Sequence, residues 1–153
     1  MSENYFIGQV ARAANCKVQT IRYYEQIGML PAPARTEGNQ RIYRQQHLER
    51  LSFIRHSREL GFSLDQIREI LALVDDPTHS CEEVDQIARV HLADVESKIE
   101  RLEEMRRELE RMLSKCAGGT VTECRIIESL ADHSLCLAAE HHAETVIEGK
   151  NDG

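Results

Sequence analysis

The 153-residue chain has no Trp, 5% aromatic residues, 8 glycines and 3 prolines. So few large aromatic and turn-forming residues argue against a β-sandwich and against a Pro/Gly-rich disordered chain, and leave helices as the main architecture. No apolar run approaches the roughly 20 residues that cross a bilayer, and the start, Met1 to Ile7, lacks the basic segment and long apolar stretch of a secretory leader. A cytoplasmic protein without a membrane partner is expected. There a disulfide framework is disfavoured, so Cys16, Cys81, Cys116, Cys124 and Cys136 read as metal ligands, redox thiols or small packing residues.

What the chain has is charge, unevenly divided. Its net charge is −7, yet residues 1–70 hold 10 basic against 7 acidic side chains, whereas 71–153 hold 9 against 19. A local excess of positive charge is what a polyanion meets, so the overall balance does not argue against nucleic acid.

Apolar residues at helical spacing in Phe6–Ala14 resume at Thr20, Ile21 and Tyr24 after a break at Asn15-Cys16, giving helix, tight turn, helix. Gly28, Pro31 and Pro33 end the second helix. Arg35 to Tyr43, with Gly38-Asn39 at its centre, reads as a small hairpin, or wing. A third helix spans about Gln45–Leu60, with Gly61 ending it, and Ser63 with Gln66 forms a capping box for a fourth. From Val84 an apolar seam runs through Ala88, Leu92, Val95, Ile99, Leu102, Met105, Leu109 and Met112, with charge nearly everywhere else. So narrow a seam on so long a helix calls for a partner helix, parallel or antiparallel, from a second copy: a homodimer. The helix stops near Lys115, Gly118-Gly119 opens a loop, and Cys124–Ala131 forms one more short helix. Beyond His133 the period is lost and a mobile tail is expected.

Two constellations carry chemistry. On the helix pair and wing, Lys17, Arg22, Tyr24, Arg41, Tyr43 and Arg58 are donors suited to phosphates and base edges, with Thr20 on the second helix and Arg35 on the wing beside them. The other is Cys81, Cys116 and Cys124. Seven residues including two glycines separate the last two, so one soft cation can be shared between them. At about 1.5 Å per residue, Cys81 and Cys116 stand roughly 50 Å apart along the helix, and an antiparallel dimer would bring Cys81 of one protomer to the loop of the other, giving two equivalent sites. His79 is a candidate accessory ligand. The reading as idle or buried cysteines stays open, as does an accessory role for Cys136 with His133, His141 and His142. Cys16 reads as a packing residue.

The segments Ile7-Gly8-Gln9-Val10-Ala11, Thr20-Ile21-Arg22-Tyr23-Tyr24-Glu25, Arg35 through Tyr43, and Phe53 through Leu64 together resemble the MerR family of metal-responsive transcriptional regulators. That resemblance implies a mainly α fold with four parts. An N-terminal winged helix-turn-helix with linking helices (1–75) is followed by a metal-site loop and long antiparallel coiled-coil dimerisation helix (76–115). A C-terminal metal-binding loop and short helix (116–133) and the tail (134–153) complete it. It implies a regulator, not an enzyme, whose homodimer holds double-stranded operator DNA and distorts it on binding metal, so that RNA polymerase finds two badly spaced promoter elements on one face. Arg22, Tyr24, Arg41 and Arg58 match positions that contact the DNA backbone.

Cys at position 81 is similar to members that answer divalent ions, whereas sensors of Cu(I), Ag(I) and Au(I) carry Ser there. Three thiolates on a +2 ion leave the same charge as two on a +1 ion. The expected effector is therefore Hg(II), Cd(II), Pb(II) or Zn(II), two ions per dimer. A loop without histidine or a doubled cysteine favours the first three. A monovalent sensor or a thiol redox sensor of the same fold is the alternative.

Overall fold

Asn15, Gly28 and Gly61, all at positive φ, mark breaks between helices, and Ser63 caps the helix that follows Gly61. In the computed structural model, residues 3–115 and 118–137 are described. They form α1 (Ile7–Ala13), α2 (Val18–Gln26), β1 (Ala34–Arg35), β2 (Arg41–Ile42), α3 (Gln45–Glu59), α4 (Leu64–Asp75), α5 (Cys81–Ser114) and α6 (Arg125–Ala131), with 3-10 turns at Val121–Glu123 and His133–Leu135. The helical class expected from composition is the class observed. Among the described residues no helix is long and apolar enough to cross a membrane.

The chain divides into two compact units that meet within the sequence of α5, at Ala88 and Arg89. In the first, the backbone of Asn15 turns through a positive φ of 48° and lets α2 follow α1 closely. Gly28, at φ 77°, closes α2, and the N–H groups of Met29 and Leu30 both donate to the Tyr24 carbonyl. That fold-back puts both side chains inside. Ser63 caps α4 reciprocally: its Oγ accepts from the Gln66 N–H at 3.1 Å, and its own N–H donates to Gln66 Oε1 at 2.9 Å. The capping box is where the sequence placed it.

β1 and β2 pair antiparallel with Ala34 opposite Ile42 and Arg35 opposite Arg41. A further bridge joins Tyr43 to Tyr5, so the wing is pinned to the start of the chain. One core contains Val10, Ala14, Ile21, Leu30, Tyr43 and Leu51; another contains Met29, Ile54, Ile67 and Leu71, and Tyr24 packs against both. Arg50 ties the second cluster together from its edge. Its Nε donates to the Met29 carbonyl at 2.6 Å and its two Nη groups grip Asp75 at 2.6 and 2.8 Å, holding that carboxyl below the usual range. Phe53 and Leu60 are exposed, whereas His47, Leu51, Ile54 and Ser57 supply the buried side of α3.

α5 is continuous over 34 residues, about 50 Å. Along its seam Leu92, Ile99, Leu102 and Leu109 are each at least half exposed in the single chain, Val95 and Met105 are half-buried, and Met112 is buried. The intervening charges pair locally, as in Asp94 with Lys98 at 2.6 Å. In the second unit, Leu135–Leu137 lie in the region expected to be tail but are hydrogen-bonded to Glu108 and Arg111 of α5. Cys116, His141 and His142 lie outside the described residues.

Candidate nucleic-acid interface and metal centre

α2 is built to show one side to solvent. Ile21 is buried and Tyr24 half-buried, whereas Lys17, which caps the helix, and Arg22 are exposed and Thr20 is half-buried. Burial raises the Tyr24 phenol, with Arg58 close enough to oppose that shift. Arg58 is itself exposed on α3, with Nη1 donating to the Phe62 carbonyl at 3.2 Å. On the wing, Arg35 Nη1 donates to both oxygens of Asn39 at 3.0 and 3.2 Å, bracing the turn across which Asn39 adopts φ 64°. Arg41 is partly exposed, its Nε 3.2 Å from Glu25 Oε2. Thus Lys17, Arg22, Arg35, Arg41 and Arg58 offer cationic groups at or near the surface of one unit.

Tyr43 does not join them. It is fully buried, its ring stands edge-on to His47, and its hydroxyl donates to Glu25. Burial, then the hydrogen bond to Glu25, raises the phenol well above its ordinary value. The expectation that Tyr43 contacts DNA is corrected on this ground: a hydroxyl occupied inside the core has no donor to offer a phosphate. Glu25 joins Tyr43 and Arg41 of the wing to α2. Glu25 was missed by the sequence reading, although a lone acid in the Arg22–Glu25 segment was a signal for an internal partner.

The thiols occupy two helix starts. Cys81 is the first residue of α5 and is exposed. His79 stands before it with Nδ1 3.0 Å from Glu83 Oε1 and Nε2 3.4 Å from Asp76 Oδ2. Glu83, then Asp76, holds its imidazole above the ordinary value, so service as a metal ligand requires exchanging a carboxylate for the ion. Cys124 is the half-buried residue that caps α6. The loop leading to it needs glycine: Gly118 and Gly119 have φ of 78° and 116°, and a Cβ on Gly119 would lie 3.3 Å from Glu123 Oε2. An open recess of about 130 Å³ is lined by Gly118, Gly119, Thr120, Val121, Glu123, Cys124 and Arg125. Among the described residues no three His, Cys, Asp or Glu side chains converge within one chain. The donor set itself, soft sulfur on an exposed helix start and on a glycine-hinged loop, fits a thiophilic cation.

Cys16 is half-buried against the first core, and burial raises its thiol, as a packing residue requires. Cys136 is also half-buried, with Sγ 3.9 Å from the Ser129 carbonyl.

Two family models match the chain: MerR HTH family regulatory protein over residues 5–73, and MerR, DNA binding, over residues 48–112. The HTH-type transcriptional regulator ZntR of Escherichia coli K12 is 43% identical over 129 residues, covering 82% of this chain and 92% of its own length. The transcription regulator PbrR691 from Ralstonia metallidurans, solved in complex with lead(II), is 44% identical with a TM-score of 0.74 and covers 82% of this chain and 98% of its own. The dual-function regulator MerR from Bacillus megaterium, solved with mercury(II), is 31% identical with a TM-score of 0.66, covering 84% of this chain and all of its own. With its winged helix-turn-helix and long α5, the chain belongs to the MerR family of DNA-binding transcriptional regulators.

Proposed function

We propose that this chain is a metal-responsive activator of a metal-resistance or efflux promoter, working as a homodimer that answers a divalent soft ion. The observation that carries the reading is the pairing of exposed thiol and exposed seam: Cys81 opens a 34-residue helix whose seam leucines are more than half exposed in the single chain, and Cys124 sits on the loop that follows it. Antiparallel association of two α5 helices buries the seam and brings Cys81 of one protomer toward Cys116 and Cys124 of the other, twice per dimer. A bound ion supplies soft coordination to three thiolates across the subunit boundary. Relatives solved with lead(II) and mercury(II) support a divalent effector, with Cd(II) and Zn(II) in the same class.

The chain's own residues do the rest. Lys17 just before α2 and Thr20 and Arg22 within it face the major groove, Arg35 and Arg41 of the wing and Arg58 of α3 hold phosphates, and Tyr24 braces them from the core edge. Two such units on one dimer deform the operator, a shape-based control through which RNA polymerase gains the promoter. The reducing cytoplasm keeps the thiols free to respond.

Native mass spectrometry of the reduced protein with equimolar Hg(II), Zn(II), Cd(II), Pb(II) and Cu(I) tests this. Two identical divalent ions per dimer are expected, and Cys81→Ser, Cys116→Ser or Cys124→Ser should each abolish metal-induced transcription while sparing operator binding. Selective uptake of Cu(I), or a metal-free dimer closed by a disulfide, would overturn the divalent reading.

A further inference from the structure

Near the end of α5 lies an ionic cluster that includes none of the three proposed thiol ligands. Glu108 is 6% exposed, on a helix whose other carboxylates face water. Its carboxylate accepts from Arg111 Nη2 at 2.6 Å and Nε at 3.3 Å, and from the backbone N–H of Leu137 at 3.2 Å. The same Arg111 Nη2 donates to the Leu135 carbonyl at 2.7 Å. Two side chains one helical turn apart thus grip both ends of the short segment that carries Cys136, and Cys136 in turn makes a weak contact with the carbonyl of Ser129, a buried residue of α6.

The grip matters because α6 is short. Seven residues are too few for a helix to persist unaided, and Leu130 is 70% exposed and Ile127 47%, so the anchoring of the flanking segments contributes to holding it. The residue that caps α6 is Cys124. Where the segment leaving α6 is anchored therefore bears on how firmly the thiol at its start is held. A buried carboxylate is a demanding anchor, since removing one partner leaves a charge or a backbone group unsatisfied.

We propose that Glu108 and Arg111 are positioning residues for the metal loop, tethering the segment that leaves α6 to α5 so that Cys124 is held ready for the ion; this rests on the metal reading above. Neither side chain needs to touch the ion.

The test uses the full-length reduced protein and Pb(II), titrated in competition with a chromophoric chelator, in wild type, Glu108→Ala, Glu108→Gln and a Cys124→Ser control. Operator binding without metal and the alkylation rate of Cys136 are followed in parallel. Glu108→Ala is expected to lower Pb(II) affinity by about tenfold, the size seen when groups supporting a metal ligand are lost. It should leave metal-free operator binding unchanged and speed alkylation of Cys136. Glu108→Gln, which keeps an acceptor for Leu137, should fall between. Unchanged Pb(II) affinity in Glu108→Ala overturns the proposal; if that variant does not fold, Arg111→Gln takes its place with the same criterion. If wild type and Cys124→Ser bind Pb(II) alike, the metal reading fails, and Cys136 alkylation decides the tether: an unchanged rate overturns it.

Discussion

Glu25 Oε2 of α2 lies 3.2 Å from Arg41 Nε of the wing, and the same carboxylate accepts the buried hydroxyl of Tyr43. One acid therefore ties α2 to the hairpin. Arg41 and Tyr43, two residues apart in β2 and its continuation, have separate tasks as a result: one keeps a guanidinium edge toward solvent, the other holds the wing down.

That division predicts opposite phenotypes. Tyr43→Phe should cost about 1 kcal/mol of stability, the net value of a hydrogen bond, and leave the salt dependence of operator binding as it was. Arg41→Ala should weaken binding and reduce the salt slope by about one, as loss of a phosphate contact requires. Denaturant unfolding and operator titrations across a salt series check the pair; a reduced slope in Tyr43→Phe would mean that the hydroxyl reaches DNA.

The Ser63 cap on α4 offers a local test of stability. Both halves of the box are formed, at 3.1 and 2.9 Å. Ser63→Ala should lower stability by about 1 kcal/mol and Ser63→Asp should retain most of it. The midpoint of denaturant unfolding reads both directly.

The seam of α5 gives the dimer its test. Leu102 is 59% exposed in the single chain, and burial of a leucine is worth about 2 kcal/mol on each protomer. Leu102→Glu should therefore shift sedimentation from dimer toward monomer at micromolar concentration, while the winged unit stays folded. A dimer of unchanged stability would show that the seam is not the contact.

Glu108 should make stability depend on acid. Its carboxyl falls from an ordinary 4.5 to about 2, chiefly through the hydrogen bond from Arg111. A depressed folded-state value means the contribution is fully present above about 4.5 and disappears as pH falls through about 2. Wild type should thus melt above Glu108→Gln at neutral pH, with the gap closing between those limits. A gap independent of pH would assign the effect to packing alone.

How much was legible in advance follows from the range of each interaction. The end of α2 at Gly28, the Ser63–Gln66 box, the turn at Gly38-Asn39 and the length of α5 all rest on residues within a few positions of one another, so the order of amino acids was sufficient to find them. The motifs of the winged unit likewise disclosed the family. Residue types alone also pointed to thiols as the metal-binding chemistry, because sulfur softness is a property of cysteine and not of its surroundings.

Tyr43, Glu25 and Glu108 were settled at a different level. Tyrosine, arginine and glutamate suit either a wet surface or a satisfied interior, and which one is realised depends on partners 18 residues away for Tyr43 with Glu25 and 29 away for Glu108 with Leu137. Residue type and position along the chain make Tyr43 a candidate DNA donor and Glu108 one more charge beside the α5 seam. Only the folded backbone, by bringing a carboxylate to Tyr43 and a backbone N–H to Glu108 across those separations, made one part of the core and the other an anchor for the chain that follows α6.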